Sequence, residues 1–167
     1  MIKLFELSER VMKMDAATWQ RHANPWSVYS RMTILPLLAL AVFSRVWLGA
    51  WAWLAVALVL LWVWVNPRLF SAPQSLDNWA SRGVLGEQIL LRRSDELPRH
   101  HKRWAMGLGL ASVPGLALMV WALWQLDALL IVAAVILAMG PKLWFLDRMN
   151  WLYADWCHAH GKDLGDV

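Results

Sequence analysis

The sequence predicts an all-α polytopic membrane protein, with four transmembrane helices and amphipathic helices on the cytoplasmic face. Three observations carry that expectation. Of 167 residues, 59% are hydrophobic and only 17% are charged, against about 25% charged in a typical soluble domain. Tryptophan occurs 14 times. The apolar residues fall into long runs separated by turn-forming or basic segments. A soluble domain this small buries only about two-thirds of the surface its unfolded chain exposes, too little to hide so much apolar side chain. Composition therefore excludes an ordinary soluble enzyme and a nucleic-acid-binding module. It also excludes a disordered chain, which needs low hydrophobicity.

The runs cover residues 32–47, 51–65, 104–126 and 128–146. A helical span takes about 20 mostly apolar residues. The first two runs are shorter, about 16 residues or ~24 Å each, and only the Gly49 region separates them. They predict a tight helical hairpin with little tilt or a thinned bilayer. Pro36, Pro114 and Pro141 are candidate kinks. The whole chain, 1–167, reads as a single membrane domain. Its parts are N-terminal interfacial helices (1–31), the hairpin (32–65), a cytoplasmic segment (66–103), a second helical pair (104–147) and a cytoplasmic tail (148–167).

Within those parts, residues 2–14 place Leu4, Leu7, Val11 and Met14 at helical spacing among charged residues, the pattern of a helix lying in the interface. Asp15 is positioned to cap a short helix over 16–23, and Pro25 to end it. Asn66-Pro67-Arg68 closes the second span. A helix over 78–92 follows, capped by Asp77 or Ser75. Its Gly83 and Gly86 each cost about 1 kcal/mol against alanine, or else admit a close neighbour. Pro98 breaks the chain before the third span. The first apolar run starts too late for a cleavable leader, and no small-residue cleavage site follows it.

Lysine and arginine set the orientation. Lys3, Arg10, Lys13, Arg21 and Arg31 precede the first span. Arg68, Arg82, Arg92, Arg93, Arg99, Lys102 and Arg103 lie between the second and third, and Lys142, Arg148 and Lys162 lie at or after the end of the fourth. Arg45 alone lies near the Gly49 turn, and no basic residue lies near the Asp127 turn. Both termini and the middle segment are therefore expected in the cytoplasm, at the inner membrane. The net charge of +4 then points to anionic lipid headgroups rather than nucleic acid. Trp47, Trp51, Trp53, Trp121 and Trp124 fall near the two outer turns, and Trp62, Trp64, Trp104 and Trp144 at the opposite ends. Indole favours the headgroup zone, so two belts emerge, with Trp53 and Trp62 the best candidates for packing between helices instead.

No span centre carries a charge, which disfavours an ion pump, carrier or channel. Reactive side chains concentrate on the cytoplasmic side. His22, Glu87 and Asp147 are the candidate acids or bases. Asn24, Asn66, Arg68, Asp77, Asn78 and His100 are the candidate ligand-binding groups, with Arg68 able to hold a headgroup phosphate. The structural alternatives are a helix cap for Asp77, a pair with Arg82 or Arg92 for Glu87, and a pair with Arg148 or Lys142 for Asp147. One metal is conceivable on His22, His100 or His101 with Asp77, Glu87 or Asp147. Glu96 with His100 and His101 is interrupted by Pro98, and His158 with His160 sits close to the C-terminus. Five histidines are too few for a membrane di-iron hydroxylase. One cysteine, Cys157, allows neither an intrachain disulfide nor a four-cysteine metal site. No phosphate loop, nucleophile elbow, dinucleotide fingerprint or zinc-protease helix occurs.

The stretches WQRHANPWSVYSR (19–31), WVNPRLF (64–70), DNWASRGVLGE (77–87) and KLWFLDRMNWLY (142–153) resemble a family of small, tryptophan-rich prokaryotic integral membrane proteins of unknown function. The resemblance runs from Trp19 to Tyr153 and leaves out residues 1–13 and the tail after Trp156. It implies a compact polytopic membrane protein and no activity, cofactor or partner. Two functional classes remain. One is an interfacial enzyme or binder acting on a lipid or other amphiphile. The other is a non-catalytic subunit of a membrane complex or homo-oligomer, built on the small-residue stripes Gly107, Ala111, Gly115 and Ala134, Ala138.

Overall fold

The computed structural model describes residues 16–162. The expected interfacial helix over 2–14 and the Asp15 cap lie outside them. The described chain is helical, with no strand. Its helices are α1 (Ala16–His22), α2 (Pro25–Met32), α3 (Ile34–Phe43), α4 (Arg45–Leu48), α5 (Ala52–Leu69), α6 (Trp79–Arg92), α7 (Arg99–Ala111), α8 (Val113–Gln125) and α9 (Ala128–Ala159). Tight 3-10 turns form at Gly49–Trp51 and Ser94–Glu96.

Among the described residues, three helical stretches are long and apolar enough to cross a membrane: Pro25–Leu69, Arg99–Gln125 and Ala128–Ala159, with mean hydropathies of 2.2, 1.8 and 2.2. The first is not a rod. Ser27 Oγ donates to Asn66 Oδ1 at 2.8 Å across 39 residues, which a straight helix would hold ~58 Å apart. The stretch folds back at Gly49, whose φ is +54°, and α3 packs along α5. A β-carbon at Gly49 would meet nothing within 4 Å. Only the left-handed backbone requires glycine there.

The prolines act differently from one another. Pro25 does not end α1, which stops at His22; it opens α2, where its missing N–H needs no partner. Pro36 and Pro114 likewise fall in the opening turns of α3 and α8. The resulting interruptions at Thr33 and Ser112 divide the long stretches. Pro67 lies inside the last turns of α5, so the second apolar run ends at Leu69 rather than at Asn66. Pro141 lies inside α9 without ending it. At ~48 Å, α9 outruns the ~30 Å hydrocarbon layer. The fourth apolar run and the tail to Ala159 are thus one helix, not a span followed by a separate tail.

Large apolar side chains face outward along these stretches. Leu129 is 81% exposed, and Ile136 and Val120 are each 67% exposed. The interior uses small residues instead. Ala39, Ala122 and Ala134 pack with Met119, Leu123 and Ile131 where α3, α8 and α9 meet. A β-carbon on Gly115 would stand 2.4 Å from the Ala138 backbone nitrogen, so α8 and α9 touch backbone to backbone. Trp47, Trp51, Trp121 and Trp124 are exposed around the Gly49 and Asp127 turns, and Trp64, Trp104 and Trp144 at the opposite end. Trp53 is exposed with them, which fits the belt rather than the alternative of packing between helices.

At the end of the bundle away from Gly49 and Asp127, two further clusters form. Leu85, Leu97, Ala105, Met149, Leu152, Tyr153, Trp156 and Cys157 join α6, α7 and the last turns of α9. Trp19, Ala23, Val28, Ala80 and Val84 join α1, α2 and α6. α6 lies against α9 because its glycines leave room: a β-carbon on Gly86 would stand 1.9 Å from the Met149 carbonyl oxygen, and one on Gly83 2.6 Å from Leu146 Cδ1.

Candidate functional site

A cavity of about 220 Å³ opens where α1, α2, α3, α6 and α9 converge. Three helices each supply an apolar residue followed, one turn later, by a charged one: Val28 and Arg31 from α2, Val84 and Glu87 from α6, Met139 and Lys142 from α9. Residues three apart share a helix face, so each helix presents wall and charge together. His22 closes the cavity from the end of α1, and Leu35, Phe145 and Leu146 extend its apolar wall.

The Arg31 guanidinium lies against both ring nitrogens of His22 through Nη1. Its Nη2 donates to the His22 carbonyl oxygen at 3.2 Å, and its Nε to the Ser27 carbonyl oxygen at 3.1 Å. Trp19 meets the His22 ring edge-on at 5.4 Å. Burial pushes the His22 pKa down to about 2, and the Arg31 charge adds to the shift. The imidazole is therefore neutral at physiological pH. The Glu87 carboxylate stabilises the Arg31 charge electrostatically. The Glu87 carboxylate thus acts on Arg31, a partner its sequence neighbourhood does not offer.

Of the three expected acids or bases, the fold brings His22 and Glu87 to this cavity. Asp147 is placed elsewhere: its Oδ1 accepts from Trp79 Nε1 at 3.1 Å, which pins the start of α6 to α9. The expected ligand-binding groups have other partners. Asn24 caps α2 through Trp26 N and donates to the Ser71 carbonyl oxygen at 3.0 Å. Asn66 is fully buried and joins Ser27 at 2.8 Å and Ser30 at 2.7 Å. Arg68 folds back onto the Trp64 carbonyl and ring. Asp77 pairs with Arg82, and Asn78, rather than Asp77 or Ser75, caps α6. Asn24 and Asn66 latch elements together, whereas Arg68, Asp77 and Asn78 are held locally, and these contacts do not converge on one point.

His100 lies on α7, outside the cavity lining, with its ring centroid 4.0 Å from that of His101. Glu96 sits in the 3-10 turn before Pro98 and pairs with Arg93 at 3.5 Å, so it does not share a helix with the histidines. Arg31 and Lys142, which the sequence offers as orienting charges and, for Lys142, as a partner of Asp147, also line the cavity. The signal available was their spacing, three residues after Val28 and Met139.

Comparison with known proteins extends the earlier resemblance at both ends. The family match covers residues 7–165, so the tail with His158 and His160 lies inside it. No curated protein and no solved structure matches the chain. The chain belongs to a family of unknown function, DUF6653.

Proposed function

We propose that this is a four-span inner-membrane protein that binds the anionic headgroup of an amphiphile at its cytoplasmic interface. The cavity shared by His22, Arg31, Glu87 and Lys142 carries the reading. Its volume of about 220 Å³ is below the ~300–1,000 Å³ of sites for drug-sized ligands. It suits a phosphate or carboxylate headgroup, with the acyl or prenyl portion left among the outward apolar side chains. Two cations against one carboxylate favour an anion, and His22, held neutral, adds no charge. Binding fits these groups better than catalysis, because the Arg31 guanidinium already lies against the His22 ring.

The fold-back at Gly49, which divides the Pro25–Leu69 stretch in two, supports counting the three apolar stretches as four passes. The orientation follows from the basic residues gathered away from both turns. The alternative, a subunit of a larger membrane complex or homo-oligomer, draws on small-residue stripes. Gly115, Ala134 and Ala138 are buried within the chain. Gly107 and Ala111 remain exposed.

The test uses protein in nanodiscs containing traces of an anionic phospholipid in a zwitterionic background, with retained lipid measured by mass spectrometry. Arg31→Gln and Lys142→Gln each lower retention of the anionic lipid by about fivefold, the equivalent of ~1 kcal/mol per cation. Glu87→Gln raises it. Equal retention by all four proteins refutes the reading.

A further inference from the structure

A second cluster of donors lies at the start of α7 and the end of α9. The metal-binding atoms of His100, His101 and Asp155 all lie within 4.8 Å of one another. His101 is 2% exposed, and its Nε2 is 3.0 Å from Asp155 Oδ2 across 54 residues. Neighbouring residues on a helix point about 100° apart. Yet the His100 and His101 rings approach to 4.0 Å between centroids. A simple histidine–carboxylate contact accounts for His101 and Asp155. It leaves unexplained why His100 turns its ring to the same point.

We propose that His100, His101 and Asp155 bind a divalent transition-metal ion of the zinc type. Two imidazoles and one carboxylate are the donors such ions prefer. Nitrogen and oxygen ligands at ~2.0–2.1 Å in a tetrahedron stand ~3.3 Å apart. The present spacing needs a contraction of under about 1.5 Å to reach that geometry. His100 and Asp155 are exposed and free to swing inward, while buried His101 is the fixed anchor. The exposed side leaves a coordination position for water. Packing around Leu97, Ala105, Leu152 and Trp156 holds the two helices in place, so the donors are arranged by the fold rather than by the ion. Arg148 faces His101 electrostatically and opposes the added positive charge, which keeps the affinity moderate. This site shares no residue with the headgroup cavity and stands or falls separately from it.

The experiment takes the full chain in detergent, without a histidine tag and stripped with a chelator. It is then titrated with Zn²⁺ and, in parallel, with Co²⁺. The expected result is one Zn²⁺ per chain by elemental analysis, with visible d–d absorption from the cobalt form. His100→Ala and Asp155→Asn each weaken binding by about tenfold or more, while His158→Ala leaves it unchanged. Both losses occur at exposed positions, so metal-free thermal unfolding stays at the wild-type temperature and separates lost ligands from lost fold. No saturable binding overturns the proposal. So does binding that survives both substitutions, or that His158→Ala removes.

Discussion

His22 shows how a partly buried side chain makes stability depend on pH. Its pKa falls from an ordinary 6.5 to about 2 in the folded chain. Between those values the unfolded chain binds the proton and the folded chain does not, so stability rises with pH across that window. The contribution of His22 is complete above about pH 6.5 and is lost progressively as the pH falls. The unfolding temperature of the purified protein, followed by tryptophan fluorescence, therefore drops between pH 7.5 and 5 (about one and a half units below the reference pKa). In His22→Gln, which cannot titrate, that drop is shallower. An unchanged slope in the variant contradicts the assignment. At this scale the sequence was informative about residue type and uninformative about partner. His22 and Glu87 were legible as polar groups on the basic side of the membrane. That Glu87 serves Arg31 across two helices, or that Trp79 holds Asp147, depends on which helix faces meet, and no local pattern specifies that.

At the scale of elements, glycine placement controls how closely helices pack. Gly86→Ala drives a methyl group into the Met149 carbonyl, and backbone cannot move aside as a flexible side chain can. The variant loses about 1–3 kcal/mol, the usual cost of overpacking, measured by denaturant titration in detergent micelles. Gly107→Ala is its control. A β-carbon there meets nothing within 4 Å, so the change is neutral or gains up to about 1 kcal/mol of helix propensity. In the sequence both glycines offer close approach, Gly86 to a neighbouring helix and Gly107 within a small-residue stripe, and only the fold separates them. Helix interiors were legible from apolar runs, and helix breaks were less so. Pro25 was expected to end a helix and instead opens one. The same φ restriction serves both ends, and only the hydrogen-bond partner of the preceding segment decides between them.

For the molecule as a whole, composition said most, because a bilayer demands the long apolar stretches that the fold contains. The outward tryptophans near both turns and at the opposite end match a layout read from order along the chain. The division into spans was harder to read. The long apolar stretches are interrupted at Thr33, Gly49 and Ser112, and α9 is longer than the hydrocarbon layer requires. The orientation proposed here is open to direct labelling. In intact cells, a membrane-impermeant maleimide is expected to modify Gln125→Cys beside the Asp127 turn. It reaches Lys162→Cys only after the membrane is permeabilised. The reverse pattern inverts the topology.

The chain's one thiol gives the fold a built-in chemical clock. Cys157 is 1% exposed within the cluster that joins α6, α7 and the end of α9. An alkylating reagent reaches it only when those helices separate, so its rate of modification counts openings of that layer alone. Tryptophan emission averages over belts at both ends of the bundle. Comparing the two signals in one sample would show whether the polar end comes apart before the membrane-embedded half or together with it.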